Sequence, residues 1–333
     1  MLNETCNFEE PFANTIIHYV STSISIPMYG VAFWILIFRS PTHFKSYRNF
    51  LVSHIFSGLL LEIHMGMIWK VTIVLPIPIM CSNNFIAEYA PIVFQFLPLC
   101  LVYTGTSIIS LFVFRMEAVN VHRFEKSILQ RLVYLIRYGF FVSIVVVLVI
   151  TALIYPDLKY QKEYKTKMEQ RFGQFQSYMW CDNCFFFNFD STLFRYFFNI
   201  CAIAVVLGTS SGALAFFLTV YSINSVKSQL SGKTKKMHRN FLISLVISAL
   251  IHGICILVPL IGFLWAITLV ISLSQFPYFP YILTLIIQEH GAASTVTMFM
   301  TNNLLRQTFL RIFWKFPASS ESQIQNLQST TMN

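Results

Sequence analysis

Long apolar runs alternate with short polar and basic segments along the whole chain. Seven of these runs are long enough, at roughly 1.5 Å per helical residue, to cross about 30 Å of hydrocarbon. A span in lipid must satisfy its own backbone hydrogen bonds, so each run is predicted to be a helix. The predicted spans are residues 16–38, 49–75, 89–114, 132–155, 193–221, 241–264 and 279–301.

The boundary after the sixth run is the least sharp, because residues 265–278 remain apolar. Residues 241–272 are too few for two spans and a turn, so we expect one long or tilted helix followed by a membrane-hugging loop. The pattern therefore predicts an all-α fold, a seven-transmembrane helical bundle over residues 16–301. Residues 1–15 precede it, and residues 302–333 form a tail whose distal part is predicted to be disordered.

Composition agrees with a membrane protein, since 56% of the residues are hydrophobic, 11% are charged and the mean hydropathy is +0.63. A soluble domain has about 25% charged residues. The net charge of +9 comes from short basic blocks between apolar runs, which argues against nucleic acid as a partner. Residues 1–15 hold no Lys or Arg, so the first span is predicted to be an uncleaved signal anchor.

The basic residues predict the orientation of the bundle. Sixteen of the 23 Lys and Arg residues lie on one side, which the positive-inside rule assigns to the cytoplasm. The N-terminus is then outside and the C-terminus is cytoplasmic. The sequon Asn3-Glu4-Thr5 falls outside, where glycosylation of Asn3 takes place.

Four cysteines fall on the predicted outer side: Cys6, Cys81, Cys181 and Cys184. A disulfide from Cys81 to either Cys181 or Cys184 would hold the long loop, residues 156–192, over the mouth of the bundle. The alternative is a set of free or zinc-binding thiols. A zinc site needs a second pair of ligands, and none is near, so no metal is predicted.

Ionisable side chains inside spans are costly and often functional. Those in the predicted spans are Glu62, His64, His252, Glu289 and His290. They are candidates for a cluster that binds a ligand or switches the bundle. The alternative is a set of interhelical hydrogen bonds that only fixes packing.

The predicted cytoplasmic face carries Arg115 at the end of the third span, and Lys235, Lys236 and Arg239 before the sixth. These cations are candidates for a surface that binds an acidic partner. The alternative is that they only reach lipid phosphates and determine the orientation of the chain in the membrane. Pro259 predicts a kink in the sixth span, which would serve as a hinge.

No motif for catalysis is present: the chain lacks a P-loop, HExxH, GxSxG and suitably spaced carboxylates. We therefore predict no enzyme activity and no cofactor, and the seventh span has no Lys for a retinal Schiff base. Two alternatives to a receptor stay open. One is a transporter or channel subunit with Glu62, His64 and Glu289 along a path; the other is a membrane enzyme with His64, His252 and His290 as metal ligands.

Four stretches resemble a known family. They are Cys6 followed by Ser-Ile-Pro at 25–27, Arg-Ser-Pro-Thr-His-Phe-Lys-Ser at 39–46, Ser-Ile-Ile-Ser-Leu-Phe at 107–112 leading to Arg115, and His290-Gly-x-x-Ser-Thr-x-x-Met298. Together they resemble the nematode chemoreceptors, most closely serpentine receptor class H. That resemblance implies a G protein-coupled receptor in the plasma membrane of sensory neurons, including the sensory cilium. It would bind a small environmental molecule and signal through a heterotrimeric G protein.

The chain departs from the family pattern at two places. Val113 and Phe114 stand where the family has an acid before the arginine of the third span. After the seventh span, residues 302–306 read Asn-Asn-Leu-Leu-Arg in place of His-x-Pro-Tyr-Arg. Glu117 follows Arg115 instead, so the sequence does not support the arginine lock that the resemblance implies.

Overall fold

A computed structural model describes residues 12–39, 45–75, 77–82, 86, 89–120, 128–225, 232–268 and 278–314. Asn3, Cys6 and the distal tail from residue 317 lie outside the described residues, as does much of the motif at 39–46. The backbone of Lys235 and Lys236 is described as helical, but their side chains are not described.

Eleven helices and three strands make up the described chain. In order they are α1 (Phe12–Trp34), α2 (Lys45–Ile63), β1 (Val71–Val74), β2 (Ile79–Ser82), α3 (Ala90–Asn120), α4 (Ile128–Leu153), α5 (Tyr155–Lys159), α6 (Lys162–Phe172), β3 (Cys184–Phe186), α7 (Thr192–Ser225), α8 (Gly232–His252), α9 (Val258–Thr268), α10 (Phe279–Thr301) and α11 (Asn303–Trp314). Short π-helical segments continue α1, α2 and α8 over Ile35–Arg39, His64–Trp69 and Gly253–Leu257.

The long helices match the predicted spans. Within the described residues, six helical segments are long and apolar enough to cross a membrane, and they correspond to spans one to six. The seventh, α10, has 23 residues and packs against α1, α2 and α8. Its polar run Gln288-Glu289-His290 lowers its hydropathy, but these side chains face other helices. The predicted all-α bundle is confirmed.

The second span is shorter than predicted, because the helix stops at Trp69 and not at residue 75. Lys70 takes a left-handed conformation with φ 46°, which ends the helix. The next four residues are Val-Thr-Ile-Val, whose β-branched side chains favour a strand, and they form β1. Apolar character alone did not separate the end of the helix from this strand.

The three strands form an antiparallel sheet in the order β1-β2-β3 at one end of the bundle, here called the sheet end. Cys81 in β2 lies opposite Cys184 in β3, and a disulfide joins them. Gln161 covers the open side of β3: its amide donates to the Phe186 carbonyl at 2.7 Å and accepts from the Phe186 N–H at 2.6 Å. The long loop is thus a folded lid fixed to the start of α3.

Span six is not a regular α-helix. After His252 the backbone widens into the π-helical segment Gly253–Leu257 and returns to α geometry at Val258, next to the buried Pro259. Proline has no N–H to donate to the preceding turn, which accounts for an irregularity here. A hinge at Pro259 remains a prediction.

Candidate functional site

A buried polar cluster joins four helices near the middle of the bundle. The Nδ1 atom of His54 in α2 lies 3.0 Å from the Ser107 hydroxyl of α3, and its Nε2 lies 3.3 Å from the hydroxyls of Ser248 in α8 and Ser294 in α10. The hydroxyls of Ser248 and Ser294 are 2.6 Å apart. This cluster ties spans two, three, six and seven together.

Two predicted site residues extend this cluster. The rings of His54 and His252 have centroids 5.0 Å apart, and those of His252 and His290 are 4.9 Å apart. Nδ1 of His290 bonds the Ile287 carbonyl at 2.7 Å, whereas its Nε2 has no hydrogen-bond partner among the described residues. One hypothesis from the sequence grouped His252 and His290 with His64; the structure groups them with His54.

His64 lies elsewhere, with its ring 5.9 Å from that of Trp69. A metal centre built on His64, His252 and His290 is therefore wrong for this fold. In the part of the chain that the structure describes, no group of three or more His, Cys, Asp or Glu side chains could hold a metal ion. The histidine rings pack on one another and on serines, which suits interhelical hydrogen bonding.

The predicted acids lie between spans one, two and seven. Glu289 of α10 accepts hydrogen bonds from Ser21 and from Ser25, the latter at 3.0 Å. Its neighbour Gln288 bonds Nδ1 of His18 at 2.6 Å. Glu289 is therefore a docking point for span one.

Glu62 is fully buried on α2, close enough to Tyr29 and Glu289 to interact electrostatically with both. Neither of its carboxylate oxygens has a partner in good hydrogen-bond geometry among the described residues. Beside it, α2 and α10 cross in direct backbone contact: a Cβ on Gly291 would lie 2.7 Å from Gly58 Cα and 2.4 Å from the Tyr29 hydroxyl. Only glycine allows so close a crossing of these two helices.

Arg115 lies at the end of the bundle opposite the sheet. Its guanidinium carbon is 3.7 Å from the ring centroid of Tyr47 in α2 and 4.1 Å from that of Phe241 in α8. Only 7% of Arg115 is exposed, and its Nε and Nη2 atoms have no hydrogen-bond partner among the described residues. Arg115 therefore does not extend towards the surface; two aromatic rings take the place of an acid. We call Arg115, Tyr47 and Phe241 the aromatic latch.

The other predicted residues of this face are less informative. Arg239 is exposed three to four residues after Lys235 and Lys236 on α8, whose side chains are outside the described residues. All three lie on the helix that supplies Phe241. Any movement of α8 therefore changes the aromatic latch and this basic segment together.

The sheet end has an apolar interior and a polar flank. Directly beneath the sheet, the rings of Trp69, Phe94 and Phe185 fill the space, with centroids 5.3 to 6.5 Å apart. Beside the sheet lies an open cavity of about 750 Å³ between the start of α3, α5, α6 and the loop before β3. The lid thus leaves space at its flank.

Sequence reasoning missed His54, Tyr47 and Phe241. A signal for His54 was present, because His54, Gly58 and Glu62 recur every fourth residue and so share one face of α2. No local signal marks Tyr47 or Phe241, since both meet Arg115 only through the packing of spans two, three and six.

Cysteines of the sheet end are paired. The sequence left Cys181 and Cys184 open as partners of Cys81, and strand pairing places Cys184 opposite it. Cys181 is also disulfide-bonded. Cys100, Cys201 and Cys255, which lie in spans, are free thiols.

A comparison with curated proteins finds no significant match. A family model, described as serpentine type 7TM GPCR chemoreceptor Srh, matches residues 9–315. The match includes all seven spans, the aromatic latch and the buried polar cluster. It confirms the resemblance noted in the sequence, including the number of spans. The chain therefore belongs to the Srh family of serpentine seven-transmembrane chemoreceptors.

Proposed function

We propose that this chemoreceptor is operated by a small-molecule ligand at the sheet end and activates a heterotrimeric G protein from the opposite end. The orientation that this requires puts the sheet end outside a multi-pass protein of the plasma membrane. Two observations support that orientation. Disulfides persist in oxidising compartments, and most Lys and Arg residues flank the other end.

The observation that carries the proposal is the aromatic latch. Tyr47 and Phe241 come from spans two and six, and both rings contact the cation of span three. A desolvated cation–π contact contributes about 2 kcal/mol, so the latch holds the three spans together while it is closed. When span six moves away, Arg115 loses the Phe241 ring and becomes available to an acidic or carbonyl-bearing partner.

The buried polar cluster supports coupling between the two ends. Ser107 lies two turns before Arg115 on α3, and Ser248 lies two turns after Phe241 on α8. Both bond His54 or its partners. A ligand that shifts α3 against α8 must rearrange these hydrogen bonds. It can do so only if it binds the shifted arrangement of the helices more tightly than the unshifted one.

The test is G protein activation in cells that express the chain, measured against an odorant panel. We expect an evoked response that Arg115→Ala abolishes and that Lys235→Ala with Lys236→Ala weakens. Arg115→Lys, which keeps the charge, should retain part of it. An undiminished response in the triple variant, at matched surface expression, would overturn the assigned roles.

The alternative, a transporter or channel subunit, predicts a different result. Glu62 and Glu289 are neighbours, but His64 packs on Trp69 and does not extend their line. A ligand-evoked current that persists with G proteins blocked would favour that alternative over a receptor.

A further inference from the structure

The cavity at the sheet end has a size and lining that suit a small organic molecule. Its volume of about 750 Å³ falls within the range of small-molecule sites. Ile92 and Leu158 give it an apolar wall, and Tyr89, Tyr155 and Trp180 add aromatic rings. A ligand with an apolar or aromatic body would bury its surface here.

One buried cation also lines the cavity. Lys165 of α6 is 6% exposed, and its ammonium donates to the Cys181 carbonyl at 2.9 Å. An ammonium has three N–H donors, so this single bond leaves it able to bind a further acceptor. Burial lowers the pKa of Lys165 to about 8, and nearby Asp182 offsets only part of that effect. Among the described residues, no carboxylate lies within 4 Å of this ammonium, and Asp182 acts on it only from a greater distance.

The other charged groups that line the cavity do not supply the anion that the Lys165 ammonium needs. They are Lys159, Lys162, Glu163 and Asp182, all of them exposed. With Lys165 they give three cations and two anions, so the cavity carries an excess of positive charge. Exposed acids are screened by water, whereas Lys165 is buried and lines the cavity, so its charge is screened much less.

We propose that this cavity is the ligand site and that it binds a small organic acid, whose carboxylate accepts a hydrogen bond from Lys165 while its apolar body packs on the Tyr89, Tyr155 and Trp180 side. This inference rests on the proposed receptor function only for its physiological meaning. Binding itself needs no G protein. A charge-assisted hydrogen bond of this kind favours the acid over its neutral amide by about tenfold or more.

The test is direct binding to the full chain in phosphatidylcholine nanodiscs. The probes are benzoate, hexanoate and hydrocinnamate, each paired with its primary amide, and the readouts are Trp fluorescence and the shift in thermal unfolding. We expect at least one acid to bind more tightly than its amide by about tenfold. Lys165→Met should remove that preference, and Lys165→Arg should keep it.

Lys167→Met is the matched control, because Lys167 lies on the same helix but is exposed and pairs with Asp190 at 2.5 Å. It should leave binding of the acid unchanged. If Lys165→Met fails to fold, two comparisons still test the proposal. One compares the affinities of each acid and its amide for the wild-type chain, and the other compares the wild-type chain with Lys165→Arg. Equal binding of acids and amides, binding of neither, or a loss as large in Lys167→Met as in Lys165→Met would each overturn the proposal.

Anionic lipid is the other source of the same chemistry, because the cavity lies where α3 begins and α4 ends. Nanodiscs containing phosphatidylserine distinguish the two. Acids that bind in phosphatidylcholine support the proposal whether or not phosphatidylserine competes with them. A stabilisation by phosphatidylserine that depends on Lys165, without binding of any acid in phosphatidylcholine, would contradict it. Acid binding without G protein activation would contradict the proposed function alone.

Discussion

Two buried cations, one near each end of the bundle, have opposite surroundings. Lys165 at the sheet end is 6% exposed and Arg115 at the other end is 7% exposed. Lys165 has one carbonyl partner and an open cavity beside it. Arg115 contacts two rings whose centroids are 5.3 Å apart, and the neighbouring cavity near Tyr47 and Ser244 measures only about 10 Å³.

The site at Lys165 therefore has room for a molecule, whereas the site at Arg115 must first open. A lysine ammonium binds an anion as a point charge, so an empty space beside it suffices. An arginine guanidinium stacks on aromatic faces, so the Tyr47 and Phe241 rings stabilise its charge without any ligand, although its Nε and Nη2 have no hydrogen-bond partner among the described residues. A ligand can enter at Lys165 in this arrangement of the chain, whereas a partner reaches Arg115 only after span six has moved.

Removing the disulfide of the sheet end should have the largest effect on the folded receptor. Cys81→Ser removes a disulfide that closes a loop of 103 residues, which by chain entropy costs roughly 4–5 kcal/mol. We expect most of the receptor to be lost from the cell surface, as measured by labelling with an impermeant reagent. Cys201→Ala is the control, because Cys201 is a free, half-buried thiol. Equal surface levels of both variants would show that the lid does not depend on this bond.

The crossing of α2 and α10 lies between the two ends, and Gly291→Ala tests it. The added Cβ would be 2.7 Å from the Gly58 backbone, so the helices must separate, at a cost of about 1–3 kcal/mol. Thermal unfolding in nanodiscs measures the loss. Gly30→Ala is the control, since a Cβ there meets nothing within 4 Å. If both variants unfold at the same temperature, the close crossing is not what holds span seven in place.

Opening the aromatic latch should raise signalling without ligand. Phe241→Leu removes one ring, and a loss of about 2 kcal/mol increases the open fraction by roughly tenfold or more. Basal G protein activation, corrected for surface level, measures it. Phe241→Tyr keeps a ring and should behave as wild type. Unchanged basal activity in Phe241→Leu would contradict a latch at this position.

The pH dependence of acid binding sharpens the contrast between the two cations. Since tight binding needs both the Lys165 ammonium and the ionised acid, affinity should be level from about pH 6 to the Lys165 pKa of about 8 and fall by about tenfold in total above it. The Lys165→Arg variant should lack this fall, because arginine does not deprotonate. The other titratable groups that line the cavity are present in both proteins: Lys159, Lys162, Glu163, Asp182, Tyr89, Tyr155 and Tyr160. The same pH profile in both would exclude Lys165 as the titrating group.

The helices of the bundle could be predicted because each span is a continuous apolar run whose backbone must bond to itself in lipid. The end of span two could not be predicted, because the mainly apolar run 71–74 suits either a membrane helix or a strand. Only its pairing with β2 makes it a strand. Arg115 was predicted at the end of span three, but its burial depends on rings that span two and span six bring to it.

The site at Lys165 shows the same limit. In the sequence Lys165 is one of five cations in the loop 156–192, and five acids in the same loop offset their charge. Once α6 is known to be a helix, Gln161, Lys165 and Met168 share its buried face at spacings of four and three. The helix is polar and lies outside the bundle, so the apolar pattern that identified the spans gave no sign of it.

The central claim is that ligand binding and signalling belong to opposite ends of one bundle. The most direct measurement compares Arg115→Ala with the wild-type chain in nanodiscs, using the acid that binds. Acid binding is measured first without the G protein, and nucleotide exchange is measured after the G protein is added. We predict that the variant binds the acid at least as tightly as wild type, because the latch no longer opposes opening, yet supports no exchange. Exchange at the wild-type rate, or loss of acid binding in a variant that is folded, would contradict the account.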